Sequence, residues 1–102
     1  MKRERTIFAP EPAPLSVGIL VMAETNALSL AAAVDPMRAA NRRAGRALFA
    51  WRFFSAGEAT VPTTAGFDVA TAPLDERAEM DVLLIVAGFR LIEQATPALL
   101  SR

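Results

Sequence analysis

Polar residues and glycines that could bind a small ligand follow the two longest apolar runs of the sequence. The first run occupies positions 17–23 and leads to Asn26, with Ser29 one helical turn further along. The second run leads directly to Gly88 and Phe89. Ligands of open α/β sheets bind at the carboxyl ends of parallel strands, near helix amino termini whose free amides attract anions. The spacing therefore predicts a ligand site formed by Asn26, Ser29, Gly88 and Phe89.

The same residues also have a purely structural interpretation. Asn26 can cap the following helix, Gly88 can form a turn, and Ser29 can be a solvated residue of the helix surface. The residue types alone do not decide between this interpretation and ligand binding.

Most common catalytic chemistry is excluded by composition. The sequence contains no cysteine and no histidine, which removes thiol nucleophiles, disulfides, histidine-based triads and zinc sites built from these residues. Glu24 could act as a general acid or base, but a single carboxylate without a partner is ordinary surface chemistry. We therefore expect no catalytic residue, no metal site and no cofactor.

An aromatic group lies in a predicted strand. Phe49, Trp51 and Phe53 alternate, so their rings share one face and could hold a quaternary ammonium group through cation–π attraction. Alternating aromatic residues of a strand more commonly belong to the core, and we expect that role here.

A basic group recurs every four residues, at Arg38, Arg42 and Arg46, with Arg43 beside it. This spacing predicts one helical stripe, which could read DNA, pair with Asp35 on a solvated surface or form a subunit contact. The opposite stripe is apolar and contains Leu30, Val34 and Met37. Because that stripe commits the helix to packing on a sheet, we expect a solvated surface or a subunit contact.

Length and charge narrow the class of protein further. The 102 residues include 11 basic and 11 acidic side chains and are 53% hydrophobic, as expected for one small globular domain. A neutral chain lacks the excess of basic side chains that binding to the phosphates of a nucleic acid usually needs. No apolar run approaches the roughly 20 residues of a membrane span. We expect a cytoplasmic chain that contacts neither nucleic acid nor membrane.

The candidate site depends on alternating strands and helices. Positions 17–23 form a continuous apolar run, which predicts a central strand buried on both faces. Helical spacing then predicts one helix from Ala27 to Ala44, kinked at Pro36 and ended by Gly45. The run from Val82 to Val86 predicts a second strand of the same doubly buried kind.

Shorter elements are predicted between and after the two apolar strands. An aromatic-rich strand is predicted over 48–55, and two short strands over 60–63 and 67–70 form a small β-excursion with Pro62 at an edge. A loop or short helix is expected over 73–79, and a helix interrupted near Pro97 over 90–100. This alternation predicts an α/β fold with a mainly parallel sheet.

Several segments resemble a known family. Together they resemble the amino-terminal sensor domain of AraC-type transcriptional regulators, and they are the strand 17–23, the helix residues 34–42 (VDPMRAANR), Trp51 in the next strand, positions 61–66 and the sequence LLIVAG at 83–88. That domain belongs to the PfpI-like superfamily, which shares the class I glutamine amidotransferase fold. The resemblance implies a three-layer, flavodoxin-like domain over 15–102, incomplete at its carboxyl end, after a flexible leader over 1–14.

The resemblance also implies a function. It implies a non-catalytic, ligand-sensing and dimerisation domain that binds an amino acid or a quaternary amine and self-associates, while a separate helix-turn-helix region, absent from this chain, binds DNA. Enzymes of the superfamily carry an acidic residue where this sequence has Ser29, and their nucleophilic cysteine would lie beyond Arg102. Two alternatives stay open, namely a hydrolase- or amidase-like fragment of the same superfamily and a partial copy without independent function.

Overall fold

The computed structural model describes residues 13–88. The elements are β1 (Leu15–Val21), α1 (Ala27–Ala44), β2 (Phe49–Ser55), β3 (Thr60–Pro62), β4 (Asp68–Ala70), β5 (Ala72–Pro73) and β6 (Val82–Val86). The predicted site residue Phe89, the predicted helix over 90–100 and nearly all of the predicted leader lie outside the described residues.

The main sheet has four strands in the order β5-β2-β1-β6. β1 lies inside the sheet and pairs in parallel with both β2 and β6, and β5 pairs in parallel with the end of β2. The predicted α/β class, the parallel sheet and the central position of β1 are confirmed. The short strand β5 was not predicted, because two residues that include a proline carry no strand signal.

The helix α1 begins and ends as its sequence predicts. Asn26 is the amino-terminal cap, and Gly45 ends the helix with a φ of 69°, a left-handed conformation that glycine adopts without strain. Pro36 lies inside α1, and the helix continues through it although proline offers no N–H to the preceding turn. The prediction of a single helix over this range is therefore confirmed.

The larger core lies between α1 and one face of the sheet, here called the α1 face. Leu30 and Met37 of α1 are buried against alternate β1 residues, and Val34 packs beside them. The buried β1 members are Val17, Ile19 and Val21. Because neighbouring parallel strands keep this alternation in register, alternate residues of β2 and β6 complete the same layer.

The opposite face of the sheet, here called the far face, is covered less evenly. Leu20 and Phe54 are buried under Leu74, with Met80 packed beside them. On β6, however, Leu83 is 43% exposed and Ile85 is 59% exposed. Among the described residues, the prediction that β6 is buried on both faces is therefore wrong. The β6 side chains that pack against the core are Val82, Leu84 and Val86, and all three lie on the α1 face.

The predicted β-excursion is confirmed. β3 and β4 form a separate antiparallel pair in which Pro62 lies opposite Asp68. Val61 is buried, and Val69 packs against the same α1-face core. The pair is thereby fixed to the main sheet, and its turn reaches the end of β1.

Candidate functional site

The loop from β1 to α1 forms the first part of the candidate site. Glu24 has a φ of 61°, a left-handed conformation that is uncommon for a residue with a side chain. The Thr25 amide donates to the Met22 carbonyl at 3.2 Å, and Asn26 Oδ1 accepts from the Ser29 amide at 2.7 Å. This tight loop places the amino end of α1 at the carboxyl edge of the sheet.

The turn between β3 and β4 forms the second part. Thr63 Oγ1 donates to the Phe67 carbonyl at 2.8 Å, which closes the turn. The Glu24 amide donates to the Pro62 carbonyl at 3.1 Å, and the Thr64 amide donates to the Thr25 carbonyl at 3.0 Å. A parallel bridge between Thr25 and Thr63 thus joins the hairpin to the β1–α1 loop.

Gly88 forms the third part. A Cβ atom at this position would lie 2.3 Å from the carbonyl oxygen of Glu24 and 3.1 Å from Cα of Thr25. Only a residue without a side chain allows the two backbones to approach this closely. The structure therefore brings Gly88 against the backbone of Glu24 and Thr25, directly before Asn26.

A buried threonine, Thr25, joins these three parts, although it was not among the predicted site residues. Thr25 is fully buried, and within residues 13–88 its Oγ1 is the one buried side-chain oxygen or nitrogen without a hydrogen-bond partner. Nothing in the local sequence distinguishes Thr25 from a solvated loop residue. Its burial depends on the hairpin and on Gly88, which are distant in sequence.

The geometry of this edge suits binding of a polar or anionic group. The amino terminus of a helix carries a partial positive charge, and the first turn of α1 contains no acidic residue that would neutralise it. Asn26 is exposed, and Ser29 and Gly88 are half-buried. Each of the three remains partly accessible to a ligand.

Acidic side chains at this edge were considered above for general acid–base chemistry and for metal binding. Glu24 is exposed to solvent. Across residues 13–88, no group of three or more acidic side chains is placed to hold a metal ion.

The aromatic and basic groups take the structural roles expected for them. Phe49, Trp51 and Phe53 pack against the α1-face core, so they do not form an open face for a ligand. On the outer surface of α1, Arg38 Nε lies 3.3 Å from Asp35 Oδ1. Arg42 and Arg43 are exposed in the last turn of α1, and Arg46 is exposed beyond its end.

Asn41 has a structural role that its spacing did not reveal. Its Nδ2 donates to the Phe49 carbonyl at 2.9 Å, and its Oδ1 accepts from the amides of Leu48 and Phe49 at 2.8 and 2.9 Å. One side chain therefore fixes the start of β2 to the last turns of α1.

A concave region of about 730 Å³ lies between the start of β1 and the segment 74–81. Its lining includes the apolar residues Leu74, Met80 and Leu83 and the acidic residues Asp75, Glu76, Glu79 and Asp81. This cavity opens on the far face and is separate from the predicted site.

Within residues 13–88, no helix is long and apolar enough to cross a membrane.

The known proteins to which this chain is similar are transcriptional regulators. No family model matches the sequence. The HTH-type transcriptional regulator GbdR of two Pseudomonas aeruginosa strains is 30% identical over 84 residues, which is 81% of this chain and 23% of the relative. The chain thus spans less than a quarter of the curated relatives that it matches.

Two solved structures share the fold. An AraC family transcriptional regulator from Pseudomonas putida superposes with a TM-score of 0.68 at 22% identity, covering 76% of this chain and 49% of that one. A candidate transcriptional regulator from Vibrio parahaemolyticus superposes with a TM-score of 0.66 at 17% identity, covering 87% of this chain and 49% of that one. The chain therefore shares the fold of part of these two structures, and its sequence is similar to part of GbdR.

Proposed function

We propose that this chain is a non-catalytic ligand-sensing and dimerisation domain of the PfpI-like type found in AraC-type transcriptional regulators. Two facts support this proposal, namely the similarity to GbdR over 84 residues and the fold shared with two regulator structures. In this proposal, DNA is bound by the remainder of such a regulator, and this chain makes no direct contact with nucleic acid.

The observation that carries the sensing role is the convergence of three segments at one edge of the sheet. The β1–α1 loop, the β3–β4 turn and Gly88 meet at the amino end of α1. Segments distant in sequence that meet at the carboxyl ends of parallel strands are typical of ligand sites in this fold class. Asn26, Ser29 and Gly88 are the described residues that we assign to ligand contact.

The proposed effector is an amino acid or a quaternary amine. A carboxylate suits the partial positive charge at the amino end of α1, and Asn26 and Ser29 provide neutral polar groups beside it. Because Phe49, Trp51 and Phe53 are occupied in the core, the quaternary ammonium group of such a ligand would not be held by these rings.

The proposed dimer uses the outer edge of β6. Within residues 13–88, β6 pairs only with β1, and the edge strand carries the exposed side chains Leu83 and Ile85. An exposed apolar edge strand favours pairing with a strand of another chain. A second copy of this chain is the partner that we propose.

Titration calorimetry with a panel of amino acids and quaternary amines tests the sensing role. We expect at least one member to bind, and Ser29→Ala to weaken that binding. Ser16→Ala is the matched control, because Ser16 is also half-buried but lies at the opposite end of the sheet. Failure of every member to bind, or equal weakening by both variants, would contradict the proposal.

The hydrolase-like alternative predicts a different result. Purified chain should then hydrolyse members of a panel of simple esters and amides. We expect no turnover, because the sequence contains neither a cysteine nucleophile nor a histidine base. Turnover that persists through repeated purification would favour the alternative.

A further inference from the structure

Thr25 and Thr63 pair where the β3–β4 turn meets the β1–α1 loop, but their hydroxyl groups differ. Thr63 Oγ1 donates to the Phe67 carbonyl at 2.8 Å and accepts from the Ala65 amide at 3.3 Å. Thr25 is fully buried, but its Oγ1 makes no hydrogen bond within residues 13–88. Buried polar groups of native proteins are nearly always hydrogen-bonded, so this hydroxyl lacks the partner that its burial normally requires.

The unpaired hydroxyl belongs to the residue at which the three segments of the candidate site converge. The Thr25 carbonyl accepts from the Thr64 amide at 3.0 Å. Cα of Thr25 lies 3.1 Å from the position that a Cβ of Gly88 would take. Thr25 also directly precedes Asn26, the cap of α1. A ligand at the amino end of α1 therefore has this hydroxyl as a neighbouring donor.

The first turn of α1 supplies further donors. The first amides of a helix have no partner inside the helix. The side chain and carbonyl of Asn26 accept from the amides of Ser29 and Leu30. The amides of Ala27 and Leu28 are left for another acceptor. A hydroxyl and backbone N–H groups at the positive end of a helix suit an anionic oxygen, such as that of a carboxylate.

The β3–β4 turn lies between Thr25 and solvent. Positions 64–66 of this turn are exposed. Backbone hydrogen bonds from Glu24 to Pro62 and from Thr64 to Thr25 join the turn to the β1–α1 loop. Short exposed turns open locally at a much lower free energy than the core unfolds. Opening of this turn gives a ligand access to Thr25 while the sheet stays intact.

We propose that the Thr25 hydroxyl donates a hydrogen bond to the carboxylate of an amino acid or similar small acid bound at the amino end of α1. The inference rests on the proposed sensing function, and it adds a ligand class and a donor outside the predicted site residues. In the ligand-free protein the unpaired hydroxyl costs free energy of folding. Thr25 Oγ1 thus contributes to binding and not to stability.

Thr25→Val tests this separation, because it replaces the hydroxyl with a methyl group of nearly the same size. In scanning calorimetry without ligand, its melting temperature should equal or exceed that of the unaltered chain. Thr63→Val is the matched control, because it removes a hydroxyl that is hydrogen-bonded at the same bridge, and it should melt at a lower temperature. A fall for Thr25→Val as large as that for Thr63→Val would overturn the proposal, because the Thr25 hydroxyl would then have a structural partner such as a buried water.

Titration calorimetry measures the contribution to binding. The probes are a set of amino acids, each compared with the amine that lacks its carboxylate. Thr25→Val should weaken amino-acid binding at least about tenfold, as loss of a hydrogen bond to a charged group does. Thr25→Ser keeps the hydroxyl and should bind nearly as the unaltered chain does. Neither variant should change the affinity for the amines.

The outcomes separate this inference from the proposed function. Amino acids that bind Thr25→Val as tightly as the unaltered chain would overturn the inference and leave the sensing role intact. Binding of quaternary amines without a carboxylate, and of no amino acid, would do the same. Failure of every amino acid and quaternary amine to bind the unaltered chain would contradict both.

Discussion

Single side chains and a single glycine connect the parts of this domain that the candidate site requires. Asn41 fixes β2 to α1 through three hydrogen bonds, and the absence of a side chain at Gly88 lets the end of β6 meet the β1–α1 loop. Asn26 both caps α1 and lies at the proposed site, so its capping role and its predicted site position coexist.

Replacing Asn41 should destabilise the domain. Asn41→Ala removes three hydrogen bonds and leaves the backbone groups of Leu48 and Phe49 without their partner, so we expect a loss of about 2 kcal/mol in the free energy of unfolding. Arg42→Ala, at the exposed neighbouring position, should change it by no more than about 0.5 kcal/mol. Urea denaturation of both variants provides the measurement. Equal losses would mean that the Asn41 contacts contribute nothing specific.

Replacing Gly88 should separate the segments of the site. The added methyl group of Gly88→Ala meets the Glu24 carbonyl, and the resulting displacement should cost about 1 to 3 kcal/mol. Gly57→Ala is the control, because a Cβ at Gly57 meets nothing within 4 Å. Thermal unfolding distinguishes the two variants. A Gly88→Ala variant as stable as the Gly57→Ala control would contradict the close approach.

The site could be predicted from the sequence only as far as local patterns reach. Asn26 and Gly88 follow apolar runs, and parallel pairing of those runs was enough to place them at one edge. Thr25 and Thr63 could not be found in this way, because their contact requires the β3–β4 hairpin to fold back onto β1. The hydrogen bonds of Asn41 were missed for the same reason.

At the scale of elements, the sheet places its strands in unequal environments. β1 has hydrogen-bonded neighbours on both sides, whereas β6 has one neighbour within residues 13–88. The two apolar runs looked alike in sequence, but among residues 13–88 the doubly buried environment predicted from them holds for β1 alone. A continuous apolar run indicates a strand that can be buried on both faces. Which segments cover each face depends on the rest of the fold.

Amide hydrogen exchange should differ between β1 and β6. We expect the amides of β1 to exchange most slowly, and those of β6 to exchange faster, because fewer packed neighbours must be displaced for β6 to open. Exchange followed by NMR at single amides is the measurement. Slowest exchange in the β3–β4 hairpin would show that the parallel core is placed wrongly.

At the scale of the whole molecule, the edge of β6 that has no strand partner within residues 13–88 bears on the oligomeric state. We expect the chain to self-associate, and light scattering after size-exclusion chromatography should give twice the mass of one chain. Ile85→Lys places a charge on the edge strand, which disfavours strand pairing, and should yield a monomer.

Leu28→Lys is the matched control for the oligomer, because Leu28 is also an exposed apolar residue, at 80% exposure, but lies on α1. The control should remain a dimer. A cooperatively melting monomer formed by the unaltered chain would contradict the proposed dimerisation.

The most direct test of the sensing role is an NMR titration that locates the bound ligand along the chain. Amide shifts would be recorded as the amino acid or quaternary amine that binds most tightly is added. We predict that the largest changes cluster at residues 23–29, 63–66 and 88, where the three segments meet. Changes confined to residues 74–81, around the cavity at the opposite edge, or no changes with any member of the panel, would contradict a ligand site at the carboxyl edge of the sheet.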